Sequence, residues 1–359
     1  MDKSRTEIAT LSKLNMNNNA PSATVTLPSL GWAPFYEEQL TPEDEEYDAL
    51  RISSVHRSRM KGESTHGPVR ISLPAHVNTS NFAVGDWVLA HPQSHLLVRR
   101  LERRSLLERQ TVGALNPQLI AANVDTVFVV TSCNDDFNPA RLERYLAFAN
   151  EAGTRAVIVL TKADQAADPA PYEAQAAALQ RGLDVVTVNA RSLDAVAALA
   201  PWCGTGQTVA LIGSSGVGKS TLLNTLARKS DEAKQATGAI REDDAKGRHT
   251  TTVRSLHRIA GGGWVIDTPG MRTLHVSDVS FGLEALFAEI IELAPDCRFR
   301  DCTHLHEPGC AVQAAVAAGT LDPARLERWR KLHEENQQNT PAVTGARGNK
   351  KSGPRGKFR

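Results

Sequence analysis

Residues Gly213-Ser214-Ser215-Gly216-Val217-Gly218-Lys219-Ser220 have the types and spacing of a phosphate-binding loop, and they join an apolar run, TVALI, to a helical stretch, TLLNTL. Glycines let the backbone turn until its N–H groups face an oligophosphate, and the helix that follows adds the positive end of its dipole. In such a loop the Lys219 ammonium holds the β- and γ-phosphates, the Ser220 hydroxyl binds Mg2+, and Thr221 closes the nucleotide-binding run.

The loop specifies a nucleotide and leaves the base open. Thr161-Lys162-Ala163-Asp164 ends a second apolar run, RAVIVL. A carboxylate at Asp164 accepts from N1–H and N2–H2 of guanine, whereas adenine offers a lone pair at N1 and no amino group at C2, so the same group rejects it. Lys162 would lie over the ring. The next apolar run, DVVTV, leads to Asn189-Ala190, where the Ala190 N–H would meet the guanine O6. Alone, such a tetrapeptide is as readily a solvated helix cap; the loop at 213 favours the base-reading role.

Asp267-Thr268-Pro269-Gly270 follows the run WVI. An acid at a strand end beside a phosphate loop is placed to hold Mg2+ through water, and Gly270 would offer its N–H to the γ-phosphate. Upstream, Gly247-Arg248-His249-Thr250-Thr251-Thr252 follows a polar stretch without apolar period. Thr250 or Thr251 would complete the Mg2+ shell; a β-branched lead into the next strand is the alternative.

Three of five cysteines fall in the pattern Cys297-x4-Cys302-x-His304-x5-Cys310. Four ligands of the types zinc prefers, on a loop with Pro308 and Gly309, suggest a closed structural site with no position left for an activated water. His306 is an alternative fourth ligand, and buried reduced thiols are the alternative to a metal. Cys133 and Cys203 read as ordinary residues.

These residues need a scaffold. From 49 to 112 short β-type stretches (Leu50 to Val55, Val69 to Leu73, Trp87 to Ala90, His95 to Val98) alternate with turn residues, which predicts a small all-β barrel of OB-fold type. From 115 to 277 apolar strands alternate with helices, at 140–151 and 171–181 among others, as in an α/β P-loop domain, and a hairpin is expected at Gly261 to Gly263. Residues 281–337 read as mainly helical around the Cys/His cluster. Residues 1–35 look like a flexible leader and 338–359 like a basic disordered tail, solubilising or RNA-contacting.

A net charge of +1 does not by itself announce a polyanion partner. Its distribution is uneven: acids crowd 36–48, whereas Arg99, Arg100, Arg103 and Arg104 form a basic cluster read here as an RNA contact, with an exposed arginine face as the alternative. No run reaches the ~18 apolar residues of a membrane span, the N-terminus lacks the apolar core of a secretory signal, and the cysteine count does not suit a disulfide framework. The expectation is a cytoplasmic protein.

The base-reading motif at 161 precedes the phosphate loop at 213, the reverse of ordinary small GTPases. That order closely resembles the circularly permuted GTPases. GRHTTT, GSSGVGKS and DTPG, with VGDWV at 84–88 and LERRSLLERQ at 101–110, resemble the bacterial small-subunit-dependent RsgA (YjeQ) family over about residues 49–335. The resemblance implies an OB-fold, a permuted G domain and a zinc domain; a monomer that binds GTP or GDP, the 30S subunit and its 16S rRNA; and GTP hydrolysis in late subunit maturation, stimulated by the subunit and coupled to release. It selects His304 as the fourth zinc ligand and points to His249 as the residue that orients or deprotonates the attacking water. Two positions depart from GTPase habit: Thr161 replaces the usual Asn that braces the phosphate loop, implying somewhat lower nucleotide affinity, and Met271 stands where Ras-like enzymes carry a water-orienting Gln.

Overall fold

A computed structural model of the chain describes residues 25–110, 117–227, 254–268 and 277–340. The N-terminal strands are β1 (Asp48–Val55), β2 (Met60–Ser64), β3 (Gly67–Ile71), β4 (Trp87–Ala90) and β5 (Leu97–Arg100). β1 pairs antiparallel with both β2 and β4, β2 with β3, and β4 with β5. A parallel bridge, Ser72 to Leu96, brings the end of β3 to the start of β5. Leu50, Ile52, Met60, Ile71, Val88 and Leu97 fill the interior. The sequence reading missed β2 because its inward residues are Met60, Gly62 and Ser64, too small and too mixed to show an apolar alternation.

The boundary expected near 112–115 is bridged: β6 (Leu106–Arg109) pairs antiparallel with β7 (Gln118–Ala122). Gly85 of VGDWV is required at this junction, since a Cβ there would lie 2.2 Å from the Ala122 carbonyl oxygen.

The larger sheet carries the site. β8 (Thr126–Ser132), β9 (Arg155–Thr161), β10 (Asp184–Thr187), β11 (Thr208–Ile212) and β13 (Trp264–Asp267) run parallel, with β12 (Ser255–Arg258) antiparallel to β13. The spatial order is β10-β9-β8-β11-β13-β12, continued by β1 through a single pairing, Ser54 with Ser255. Helices cover both faces, so β8 and β11 are buried at every position, as continuous apolar runs in parallel sheets should be. The connecting helices are α2 (Pro139–Glu151), α3 (Ala170–Ala177), α4 (Asp194–Leu199) and α5 (Lys219–Leu226), α1 (Pro34–Glu37) lying before the sheet. Strand order turns outward in both directions between β8 and β11, and ligands bind beyond the carboxyl ends of strands at such a switch point.

Among the described residues four more α-helices follow: α6 (Ser280–Leu286), α7 (Ala288–Leu293), α8 (Ala311–Ala317) and α9 (Pro323–Asn339). Leu283, Phe287 and Trp329 join the same apolar core as Leu142 and Leu146 of α2.

The expected leader through residue 35 is corrected from Val25 onward. Leu30 and Trp32 are buried, Trp32 packs edge-on to Trp87 at 4.9 Å, and Trp264 donates its indole N–H to Ser29 O. Arg51, wholly buried, donates to Leu30 O (2.5 Å) and to Thr208 Oγ1 (2.6 Å), which ties this segment and β1 to β11. Among the described residues no helix is long and apolar enough to cross a membrane.

Candidate functional site

The phosphate-binding loop leaves β11 at the switch point. Gly213, Gly216 and Gly218 all have positive φ (144°, 81° and 96°), a conformation that favours glycine. At Gly213 the fit is also steric, since a Cβ would lie 2.2 Å from Val130 O of β8. Gly218 forms the N-cap of α5, so Lys219, Ser220 and Thr221 occupy its first turn. Val217 is buried under the loop, Ser215 and Gly216 are exposed, and the Lys219 ammonium donates to Gly213 O (2.8 Å) and Ser214 O (2.5 Å).

Two neighbouring strand ends meet this loop. Thr161 closes β9 with its side chain fully buried, donating to Val217 O at 2.5 Å with Thr131 O a second acceptor at 3.1 Å. Lys162 follows in a left-handed conformation (φ 57°), which turns Ala163 and Asp164 out of the strand; the Asp164 carboxylate is exposed. Past β10, Asn189 Oδ1 accepts from the Arg191 N–H (2.9 Å), and the Thr225 hydroxyl of α5 donates to Ala190 O (2.7 Å). The helix that begins at the phosphate loop therefore also anchors the Asn189-Ala190 loop.

On the other side of β11, Asp267 ends β13 in register with Leu211, and Thr268, wholly buried, donates to Leu211 O. The structure thus gathers Thr161 to Asp164, Asn189-Ala190, residues 213–221 and Asp267 at the carboxyl edge of one sheet. His249, Thr250, Thr251, Gly270 and Met271 lie outside the described residues.

The Cys/His cluster forms between α7 and α8, with Cys310 as the N-cap of α8. The ligand atoms of Cys297, Cys302, His304 and Cys310 all lie within 4.8 Å of one another. His304 Nδ1 is 3.5 Å from Cys297 Sγ and 3.4 Å from Cys310 Sγ, and those two sulfurs are 3.9 Å apart. Tetrahedral ligands on zinc stand about 3.5–3.8 Å apart, so the donor set fits such a metal. Burial acts against ionising Cys297, but the backbone N–H groups of Val312 and Ala311, together with hydrogen bonds to Cys310 and Cys302, hold the thiol below its ordinary pKa. His306 is not in the cluster.

Comparison with known proteins decides the lineage. The RsgA GTPase family model matches residues 100–277. A small ribosomal subunit biogenesis GTPase RsgA of Mesorhizobium japonicum is 65% identical over 334 residues, 93% of this chain and 96% of the relative. The chain belongs to the RsgA GTPase family. It is, accordingly, a GTP hydrolase with circularly permuted motifs. A Vibrio vulnificus relative, RsgA 2, is 51% identical over 88% of this chain and 89% of its own. The crystal structure of YjeQ from Thermotoga maritima superposes with a TM-score of 0.59 at 25% identity, covering 80% of this chain and 98% of that one. YloQ, a circularly permuted GTPase, shares the fold (TM-score 0.57, 23% identity, 85% of this chain and all of that one).

Within this RsgA-family chain the expected arginine cluster needs correction. Arg99 pairs with Asp44 (2.5 Å), Arg103 with the wholly buried Asp86 (2.6 Å) and Arg104 with Asp125 (2.7 Å). The cluster mostly ties β5 and the following loop to the rest of the chain, and its positive charge is largely cancelled there. Two residues near the loop gave no signal in the sequence: Arg141, whose guanidinium donates to Ser214 Oγ (2.6 Å), and Tyr145, which also hydrogen-bonds Ser214.

Proposed function

We propose that this GTPase binds the small ribosomal subunit through 16S rRNA in the cytoplasm, acts there as a monomer late in subunit maturation, and couples its release to hydrolysis. The observation that carries this reading is the 65% identity, across 93% of the chain, to a relative named for small ribosomal subunit biogenesis.

The N-terminal strands support it. Their order β3-β2-β1-β4-β5, with β3 and β5 meeting in parallel at Ser72 and Leu96, is consistent with the closure of a five-stranded OB-type barrel, a fold that binds oligonucleotides. Arg57, Arg59, Lys61 and Arg70 are exposed on its β1–β2 turn and on β2 and β3. Among the described residues none of them takes part in an ion pair. Lys61 and Arg70 face each other across β2 and β3, a like-charge pairing that costs stability unless an anion lies against it. This strip, rather than Arg99, Arg103 and Arg104, is the barrel's contact with rRNA phosphates.

In the reaction, Asp164 reads N1–H and N2–H2 of guanine, with Lys162 over the ring and the Ala190 N–H at O6. Backbone N–H groups of 214–219 and the Lys219 ammonium hold the phosphates. Ser220, Asp267 through water, and Thr250 or Thr251 would hold Mg2+, which neutralises charge on the phosphate oxygens. By resemblance, His249 orients the attacking water and the Gly270 N–H meets the γ-phosphate. Cys297, Cys302, His304 and Cys310 would hold Zn2+, which would fix the loop between α7 and α8 and leave no open position for chemistry. With GTP held, the barrel and the Cys/His unit grip rRNA together; hydrolysis loosens the grip.

Co-sedimentation with purified small subunits tests this. Retention with a non-hydrolysable GTP analogue, loss with GDP, and loss on combining Arg59→Gln, Lys61→Gln and Arg70→Gln are expected. Equal retention with GDP and the analogue would overturn the coupling.

A further inference from the structure

We infer that Arg141 is a positioning residue for the phosphate-binding loop, and that the C-terminal helices hold it to that task through α2. The inference rests on the reading that residues 213–220 take the phosphates.

Arg141 lies in the first turn of α2, where its backbone N–H is capped by Asn138 Oδ1 (3.0 Å). Its Nη1 reaches Ser214 Oγ at 2.6 Å. Tyr145, one turn further and 1% exposed, bonds the same serine; burial pushes its phenol pKa up and the Ser214 bond draws it partly back. Residues four apart lie on one helix face, so α2 presents a two-residue clamp to Ser214. The preceding Gly213 is meanwhile fixed against β8. The loop therefore sits between strand backbone and helix side chains.

Other positions of α2 are bolted to the C-terminal unit. Glu143, with no exposure, accepts from Arg325 Nη1 (2.7 Å) and Arg328 Nε (2.8 Å) of α9. Arg144 donates to Glu335 at 2.6 Å. Gly282 brings α6 so near that a Cβ there would lie 2.0 Å from Ala147 O. A helix held this way cannot slide or roll without disturbing a buried ion pair, and removing one partner of such a pair is costly. Ser214 and α9 thus bias one rigid element from opposite sides. This link is independent of the DTPG segment, which joins the G domain to the C-terminal helices through the chain itself.

The test is equilibrium binding of a fluorescent GTP analogue to the full-length metal-loaded protein, below the thermal midpoint of every variant. Lys219→Ala must abolish binding; if it does not, the loop assignment fails, and the inference with it. Arg141→Met and Ser214→Ala should each weaken binding about tenfold, the size of a hydrogen bond to a charged group, and the double variant should be no weaker than the worse single one. Arg141→Lys should recover part of the loss. Glu143→Gln, which touches no atom of the loop, should weaken binding about threefold in the natural chain and add nothing to Arg141→Met. Binding by Arg141→Met and Ser214→Ala within twofold of the natural chain would overturn the positioning role. A Glu143→Gln protein that melts earlier yet binds GTP normally would overturn the link to the C-terminal helices.

Discussion

The Thr161 hydroxyl reaches the carbonyl oxygen of Val217, 2.5 Å away, and ties the end of β9 to the phosphate-binding loop. The side chain is fully buried, and Thr161 Oγ1 would be the nearest atom, at 3.3 Å, to a Cβ added at Gly218. GTPases that carry Asn here brace the loop with an amide; in this chain a hydroxyl makes the brace from a shorter side chain.

Thr161→Val keeps the shape of the side chain and removes the donor, leaving two buried carbonyls without it. GTP binding should weaken by about 1–2 kcal/mol, or ~5- to 30-fold, in a calorimetric titration. Unchanged affinity would show that the loop needs no brace at Val217.

The thiols divide into two classes. Burial pushes Cys203 up to about 12, and burial followed by the charge of Glu173 raises Cys133, so both should resist alkylation at neutral pH. Mass spectrometry after iodoacetamide treatment should show almost no labelling of the zinc-loaded protein, labelling at Cys297, Cys302 and Cys310 once a strong chelator is added, and labelling of all five after unfolding. Rapid labelling of those three without a chelator would mean that they hold no metal.

Glu307 organises the loop around His304. Its carboxylate accepts from the Thr303 hydroxyl, from the Thr303 N–H (2.9 Å) and from the N–H groups of Leu305 (3.0 Å) and His306 (3.1 Å). The Thr303 hydroxyl bond first, then its N–H, hold the carboxyl well below its ordinary 4.5. A depressed folded-state pKa contributes stability that is complete above the unfolded value and lost as pH falls through the folded one. The thermal midpoint of Glu307→Gln should therefore fall below that of the natural chain at pH 7, with the gap narrowing below about pH 4.5. A gap constant with pH would assign the effect to packing.

The phosphate loop, the Thr161 to Asp164 run and the Cys/His spacing were legible because each is contiguous or nearly so and its chemistry requires those residue types. The parallel strands were legible because a sheet covered on both faces keeps mostly apolar side chains, as in residues 127–130 of β8 and 209–212 of β11. Elsewhere the partners are distant in sequence. Arg99, Arg103 and Arg104 resemble a basic patch until the fold brings up Asp44, Asp86 and Asp125. Leu30 and Trp32 resemble a loose leader until Trp87 and Arg51 close on them. Arg141 gives no hint, since only the placement of α2 beside the loop makes it relevant. The roles of His249 and the ribosomal partner came from resemblance, which composition and spacing do not replace.

The most direct measurement is phosphate release from GTP with and without purified small subunits, for the natural chain and for His249→Ala. The account predicts strong stimulation by the subunits that the substitution abolishes while GTP binding persists. Turnover indifferent to small subunits would contradict it.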